Sequence, residues 1–437
     1  MGEAISYPPV IASCEPPSSL TEVQSSKLLS LLDEICLRNP FYQRKLRDID
    51  LSGPASSVLK RLPFTTRSEL EADQIAHPPF GTNLTYPLEH YCRFHQTSGT
   101  NGQPMRWLDT KESWAWFGRC WGEIFDAAGI TKDDRLFFPF SFGPFVGFWA
   151  AFESAAERGL LCIPAGGMST SSRLRMILDN AVTVVFCTPT YALRMAESAR
   201  ESGIDLAASP VRILIVAGEA GGSIPGTRQR IEAAWGARVF DHSGMTEIGA
   251  ATFECSENPG TGVHVIESEF ICESIDPSSG APVEDGEIGE LVLTNLGRVG
   301  SPLLRYRTGD RVRLTRRPCP CGRSYARLEG GILGRSDDMF IVRGNNVFPT
   351  AVESVLRSIA EVAEFRMTVG ENGSLSQVKV EVEPAAGSDE PALAERVARA
   401  LQMALSFRAE VILVPQGALP RFDMKAHRFV RAGCPAS

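Results

Sequence analysis

Thr97-Ser98-Gly99-Thr100-Asn101-Gly102-Gln103-Pro104 packs hydroxyls, glycines and small amides into one short run. Its two glycines let the backbone fold back tightly, so that successive N–H groups and the Thr and Ser hydroxyls converge on one anion. That composition suits a triphosphate cradle. It is not a Walker A loop, because no Lys-Ser or Lys-Thr follows the second glycine and Gln103 stands there instead. Alone, such a cluster marks an ordinary turn just as well, so its weight comes from its surroundings.

Upstream of the cradle, Leu28, Leu29, Leu31, Leu32, Ile35 and Leu37 recur at helical spacing over 24–46, and Asn39-Pro40 ends that helix. Leu62-Pro63-Phe64-Thr65-Thr66 then leads through a capping residue into a further short helix at Arg67. Downstream, the pattern predicts helices over 114–128, 145–157, 171–180 and 191–202. Strands are predicted over 136–140, 160–163, 182–187 and 211–217. Such alternation specifies α/β layers on a largely parallel sheet. Past Arg238 the texture becomes strand-rich, with strands expected over 263–275, 289–294 and 310–315. From 336 a second α/β pattern begins, with strands at 339–342, 378–382 and 410–414 and helices at 349–358 and 390–405. The expected organisation is a leader over 1–20, a multi-subdomain core over 21–335 whose β-rich part covers about 238–335, and a small α+β domain over 336–437.

Composition excludes several classes. The chain has 437 residues, 43% of them hydrophobic, and a net charge of −8 from 44 basic and 52 acidic side chains, with no basic block suited to a phosphate backbone. Nucleic acid is not an expected partner. The first twenty residues lack the basic start and apolar run of a secretory signal. The most apolar stretch, 137–152, is broken by Pro139, Gly143, Pro144 and Gly147 and falls short of the roughly 20 residues that span a bilayer. An odd number of scattered cysteines, eleven in all, fits a reducing cytoplasm better than a disulfide framework.

Four further constellations follow the cradle. Asp241-His242-Ser243-Gly244-Met245-Thr246-Glu247 presents a hydroxyl and a carboxylate on a glycine turn, as a phosphate with its Mg²⁺ requires. Tyr306-Arg307-Thr308-Gly309-Asp310 fixes a carboxylate that can accept both hydroxyls of a ribose. Gly334-Arg335-Ser336-Asp337-Asp338 and Val342-Arg343-Gly344-Asn345-Asn346 flank the expected domain boundary, where a hinge belongs. Last comes Lys425, within Leu419-Pro420-Arg421-Phe422-Asp423-Met424-Lys425.

In that order and at that spacing, the five motifs resemble the adenylate-forming acyl-CoA synthetase superfamily, and within it the phenylacetate-CoA ligase and aryl-CoA ligase relatives. The similarity runs from Asn39-Pro40-Phe41-Tyr42 to Lys425. It implies the adenylate-forming fold, a mobile C-terminal domain, and ATP, Mg²⁺ and coenzyme A as cofactors and cosubstrates. Thr97, Ser98, Gly99, Thr100 and Gly102 would cover the ATP phosphates. Gly218, Glu219, Asp241, His242 and Ser243 would border the adenine and the aryl group. Thr246 would touch the α-phosphate and Glu247 the magnesium, while Asp310 and Arg335 would hold the ribose and phosphate. Asp337 would be the hinge and Gly344 would lie on the thioester-forming face. Lys425 would bridge the acyl carboxylate and the α-phosphate in the first transition state.

An acyl pocket is expected from Phe140, Phe142, Gly143, Pro144, Phe145, Phe148 and Trp149, with Phe142, Gly143, Phe145 and Gly244 as substrate contacts. Cys319-Pro320-Cys321-Gly322 together with Cys255 and His264 offers the donors of a structural zinc site, and Cys272 stands in reserve. The family usually carries a lysine where Gln103 stands, a threonine at Asn101, a tyrosine at Ser243 and a glycine at Met424. These departures point to a specialised acid such as a substituted benzoate. The resemblance thus implies an AMP-forming ligase that loads an aromatic acid onto coenzyme A, with homodimerisation as the family's habit. Loading of a carrier-protein pantetheine, adenylation without a thiol, and an inactive nucleotide-binding homologue are the alternatives.

Overall fold

A computed structural model describes residues 18–97, 104–342, 345–372, 375–388, 390–422 and 425–432. At its centre lies a five-stranded parallel sheet in the order Leu161–Pro164, Arg135–Phe138, Val184–Cys187, Ile213–Val216, Arg238–Asp241. Val184, Val185, Phe186, Leu214, Ile215 and Val216 are fully buried. Side chains of this size contribute about 1.5–3 kcal/mol each when removed from water, which is why these strands read as unbroken apolar runs. Helices Pro189–Glu201 and Pro225–Trp235 pack on one face around Tyr191, Met195 and Trp235. Lys111–Ala128 and Trp149–Glu157 cover the other with Trp121, Phe125 and Ala151.

That second face is shared with a seven-stranded sheet, built largely from Gly262–Val265, Phe270–Ile275, Ile288–Asn295 and Tyr306–Thr315. A third core, around Phe340, Val352, Leu356, Val380, Val397 and Leu401, belongs to a four-stranded sheet with helices Pro349–Arg357 and Glu390–Leu405. No described helix is long and apolar enough to cross a membrane.

The structure amends the sequence reading in several places. The first described helix, Ser18–Arg38, begins inside the expected leader because Leu20 is buried against the body. The strand expected over 263–275 is two strands, separated where Glu267 turns inward to bind Arg316. Strands Tyr91–Gln96 and Arg106–Thr110 pair antiparallel on either side of the cradle, and neither was predicted. Strand Val362–Asn372 was also missed, although it pairs with Leu375–Pro384 in the C-terminal sheet. The expected turn at Thr308-Gly309-Asp310 lies within strand Tyr306–Thr315, beside a register shift in its pairing with Ile288–Asn295. Gly309 has φ +77°, a left-handed conformation that bulges the strand and aims Asp310 inward.

Candidate active site

The carboxyl ends of three parallel strands deliver the site. Strand Val184–Cys187 leads into Thr188-Pro189-Thr190, Ile213–Val216 into Gly218-Glu219, and Arg238–Asp241 into His242-Ser243. This is the edge of an open α/β sheet at which ligands bind. Asp241 is raised well above the ordinary carboxylate range, to about 7, by burial, with a hydrogen bond from Ser223 acting the other way. His242 is buried edge-on against Trp121, 4.6 Å between ring centroids, and burial lowers its pKa to about 4. It is therefore a neutral imidazole at physiological pH. Ser243 is tied to Thr252, its N–H donating at 2.7 Å.

Gly244–Met245 pairs with Gly249–Ala250, and Thr246 and Glu247 occupy the turn between them. The Glu247 carboxylate is buried and accepts from the Tyr306 hydroxyl at 3.1 Å. The sequence reading missed what holds this turn. Arg298 donates to the Thr246 and Glu247 carbonyls at 2.9 and 2.6 Å and makes a bidentate pair with Asp109 at 2.6 and 2.8 Å. Both side chains of that pair are fully buried, with the guanidinium against the Trp107 and Phe117 rings. Nothing in the local sequence joins positions 109 and 298.

Asp310 faces Arg335, whose Nη1 donates to it at 3.3 Å, while Arg335 Nε donates to Asp337 at 2.9 Å. Burial raises Asp310 to about 7 against the pull of Arg335. Asp337 follows the last short strand of the large sheet, Gly334–Arg335, just before the C-terminal core begins at Phe340.

Lys425 enters this crevice from the C-terminal unit, its Cε close enough that a Cβ on Gly218 would lie 3.2 Å away. The protein packed around it lowers its pKa from the ordinary lysine value, opposed chiefly by Glu219 and then Glu247, although solvent still reaches the side chain. Structure therefore brings Gly218, Glu219, Glu247, Asp310, Arg335 and Lys425 into one electrostatic neighbourhood from parts of the chain two hundred residues apart. Thr97 lies at the base of the cradle, where its Oγ1 accepts from the Met105 N–H at 3.0 Å and closes the hairpin. Ser98, Gly99, Thr100, Gly102 and Gly344 lie outside the described residues, as do Asn101, Gln103 and Met424.

Beside the site, Phe140 packs edge-on against Phe142, Phe145 and Phe148 at 5.2–5.8 Å, and Phe148 leads through Trp121 to His242. Gly143 permits the close approach of Phe145, and its carbonyl accepts from Trp149 Nε1 at 3.0 Å. Gly244 is exposed, and its backbone lies so near the Gly249 carbonyl that a Cβ would stand 2.6 Å from it.

In the β-rich part of the chain, the ligand atoms of Cys255, His264, Cys319 and Cys321 lie within 4.8 Å of one another. His264 Nδ1 faces the Tyr325 carbonyl at 3.3 Å, which leaves Nε2 directed at Cys321 Sγ at 3.5 Å. Three thiols and one imidazole converging in this way fit a closed tetrahedral zinc site. Cys272 is not part of the cluster, because its thiol is buried and turned to Glu267.

Carboxylates at the carboxyl ends of a parallel sheet thus meet a lysine from a second unit, an arrangement suited to activating an acid with a nucleotide. The AMP-binding enzyme family model matches residues 49–297 and the model for its C-terminal domain matches 344–432. The chain belongs to this family of adenylate-forming enzymes, as an AMP-forming acid–CoA ligase. The phenylacetate-coenzyme A ligase of Thermus thermophilus is 33% identical, over 93% of this chain and 95% of its own. A 2-hydroxyisobutyryl-CoA ligase in its postadenylation state, complexed with 2-HIB-AMP, superimposes with TM-score 0.88 at 28% identity, over 99% of this chain and 95% of that one. In its thioesterification state, complexed with 2-HIB-AMP and CoA, that ligase gives 0.70 at 26% identity over the same shares.

Proposed function

We propose that this ligase takes an aromatic carboxylic acid of the phenylacetate or substituted benzoate type. The observation that carries this reading is the run of rings from Phe145 through Phe140 and Phe148 to Trp121 and the neutral His242. Such a cluster of rings suits packing against an aryl group, and the identity with the Thermus phenylacetate ligase supports it.

In the first half-reaction the acid's carboxylate attacks the α-phosphorus of ATP, forming the acyl–phosphate bond and expelling pyrophosphate. Lys425 is placed to neutralise the charge shared by the carboxylate and the α-phosphate, assisted by Thr246. Thr97 and the residues after it cover the phosphates, Asp310 and Arg335 hold the ribose, and Asp241, His242 and Ser243 border the adenine and aryl groups. Glu247 would hold Mg²⁺, which would supply charge neutralisation for the triphosphate. In the second half-reaction the thiol of coenzyme A attacks the acyl carbon and AMP leaves. Residues 336–437 turn about Asp337 between the two steps, withdrawing Lys425 and presenting the Gly344 face.

Cys255, His264, Cys319 and Cys321 would hold a structural zinc, which would tie the 319–322 loop to strand Gly262–Val265. Elemental analysis of the purified protein is expected to find one zinc per chain, and chelation to lower its melting temperature. Metal-free protein of unchanged stability would remove this assignment.

The test of the substrate class is acid-dependent pyrophosphate release across benzoates, phenylacetates and aliphatic acids, with and without coenzyme A. Expected is release with an aromatic acid and an acyl-CoA product when the thiol is present. Preference for an aliphatic acid overturns the aromatic reading. Release without any CoA product transfers the acceptor role to a carrier-protein pantetheine, or to none.

A further inference from the structure

Glu219 was expected at the edge of the adenine, yet both of its oxygens are already engaged. Oε1 accepts from the Thr190 N–H at 2.8 Å and Oε2 from the Ala426 N–H at 2.7 Å. The first donor lies in the opening turn of helix Pro189–Glu201, where backbone N–H groups lack helical partners and the dipole favours a carboxylate. The second belongs to the residue next to Lys425. A single carboxylate thus spans from the edge of the parallel sheet to the loop that delivers the lysine.

Two neighbouring contacts point the same way. Gly218, at φ +94°, leaves open the space that the lysine stem crosses, and a Cβ there would crowd Lys425 Cε at 3.2 Å. Arg428, held by Glu364 at 2.7 and 3.0 Å, donates to the Thr190 hydroxyl at 3.1 Å. Thr190 therefore receives the C-terminal unit on its side chain and Glu219 on its N–H.

We propose that Glu219 is the positioning residue for the catalytic lysine, a latch that closes on the Ala426 N–H and fixes Lys425 over Gly218 during adenylation. This rests on the assignment of Lys425 given above. Both partners of Glu219 are donors, so only a carboxylate satisfies the two together. Glutamine matches its shape but turns an NH₂ towards one of the N–H groups and removes the charge. When the C-terminal unit swings away, the Ala426 bond breaks while Thr190 keeps Glu219 in place for the return. The greater likeness to the postadenylation form than to the thioesterification form agrees with a closed latch.

The test separates the half-reactions in Glu219→Gln. Acid-dependent ATP–pyrophosphate exchange is expected to fall about 10- to 100-fold in kcat with KM for ATP nearly unchanged, the scale of effect that a small misplacement of a catalytic group produces. Thioester formation from supplied acyl-AMP should keep its wild-type rate. Added to Lys425→Ala, the substitution should cost almost nothing more, since it acts through that lysine. A raised KM for ATP with an additive double mutant would return Glu219 to the nucleotide, and equal losses in both half-reactions would make it merely structural. Amide hydrogen exchange at Ala426, measured without substrate, should quicken in Glu219→Gln, and unchanged exchange overturns the latch independently of turnover. Absence of acid-dependent exchange in the wild type would instead refute the ligase reading, with the Ala426 measurement still deciding on the latch.

Discussion

Lys425→Ala is expected to slow acyl-adenylate formation by about 10²–10³-fold or more, the cost of removing one well-placed electrostatic stabiliser from a developing charge. Thioester formation from supplied acyl-AMP and coenzyme A should continue near the wild-type rate, because the proposed swing of the C-terminal unit takes the lysine out of the site. The asymmetry between the half-reactions is what identifies the role, and pyrophosphate exchange set against single-turnover thioester formation measures it. Lys425→Arg should rescue little. The lysine stem already lies 3.2 Å from where a Cβ on Gly218 would stand, and a longer planar fork cannot place a point charge on the same path. Equal loss of both steps would reject the assignment.

Arg298→Met is expected to destabilise the fold by about 3–5 kcal/mol, since it leaves the Asp109 carboxylate buried without its partner. Arg298 and Asp109 are both fully buried, and the same guanidinium holds the carbonyls of Thr246 and Glu247. Stability and catalysis can therefore be pulled apart. In Arg298→Met with Asp109→Leu, apolar groups replace both charges, so denaturant unfolding should recover much of the lost stability. Adenylation should stay depressed, because the two carbonyls still lack their donor and the Glu247 turn loosens. Recovery of activity along with stability would show that the pair serves the fold alone.

Much of this was legible because the signals are local. The parallel strands announce themselves as short apolar runs, since a strand buried on both faces has no polar side to show. Thr66, which caps helix Arg67–Ala76, marks a turn readable from a few consecutive residues. The order of the five motifs anticipated that Lys425 and Asp310 belong to one site, and the structure brings the two side chains into one electrostatic neighbourhood. Less legible was anything set by partners far away in sequence. The hairpin around the cradle is two short strands whose pairing depends on each other, and strand Val362–Asn372 finds its place only beside Leu375–Pro384. The stretch 263–275 looked continuous because the inward turn of Glu267 is decided by Arg316.

The sequence by itself determined the α/β layering, the acid-bearing turn, the carboxylate at Asp310, the late lysine and the Cys and His donors. Each is a matter of residue type and spacing within a short span, where backbone preference and side-chain chemistry act locally. Only the tertiary structure decided that Arg298 and Asp109 brace the Glu247 turn, that Cys272 stands apart from the cysteine cluster, and that Glu219 binds the backbone beside Lys425. Those contacts join residues between five and about two hundred positions apart, and burial, by removing water as the competing partner, is what selects them.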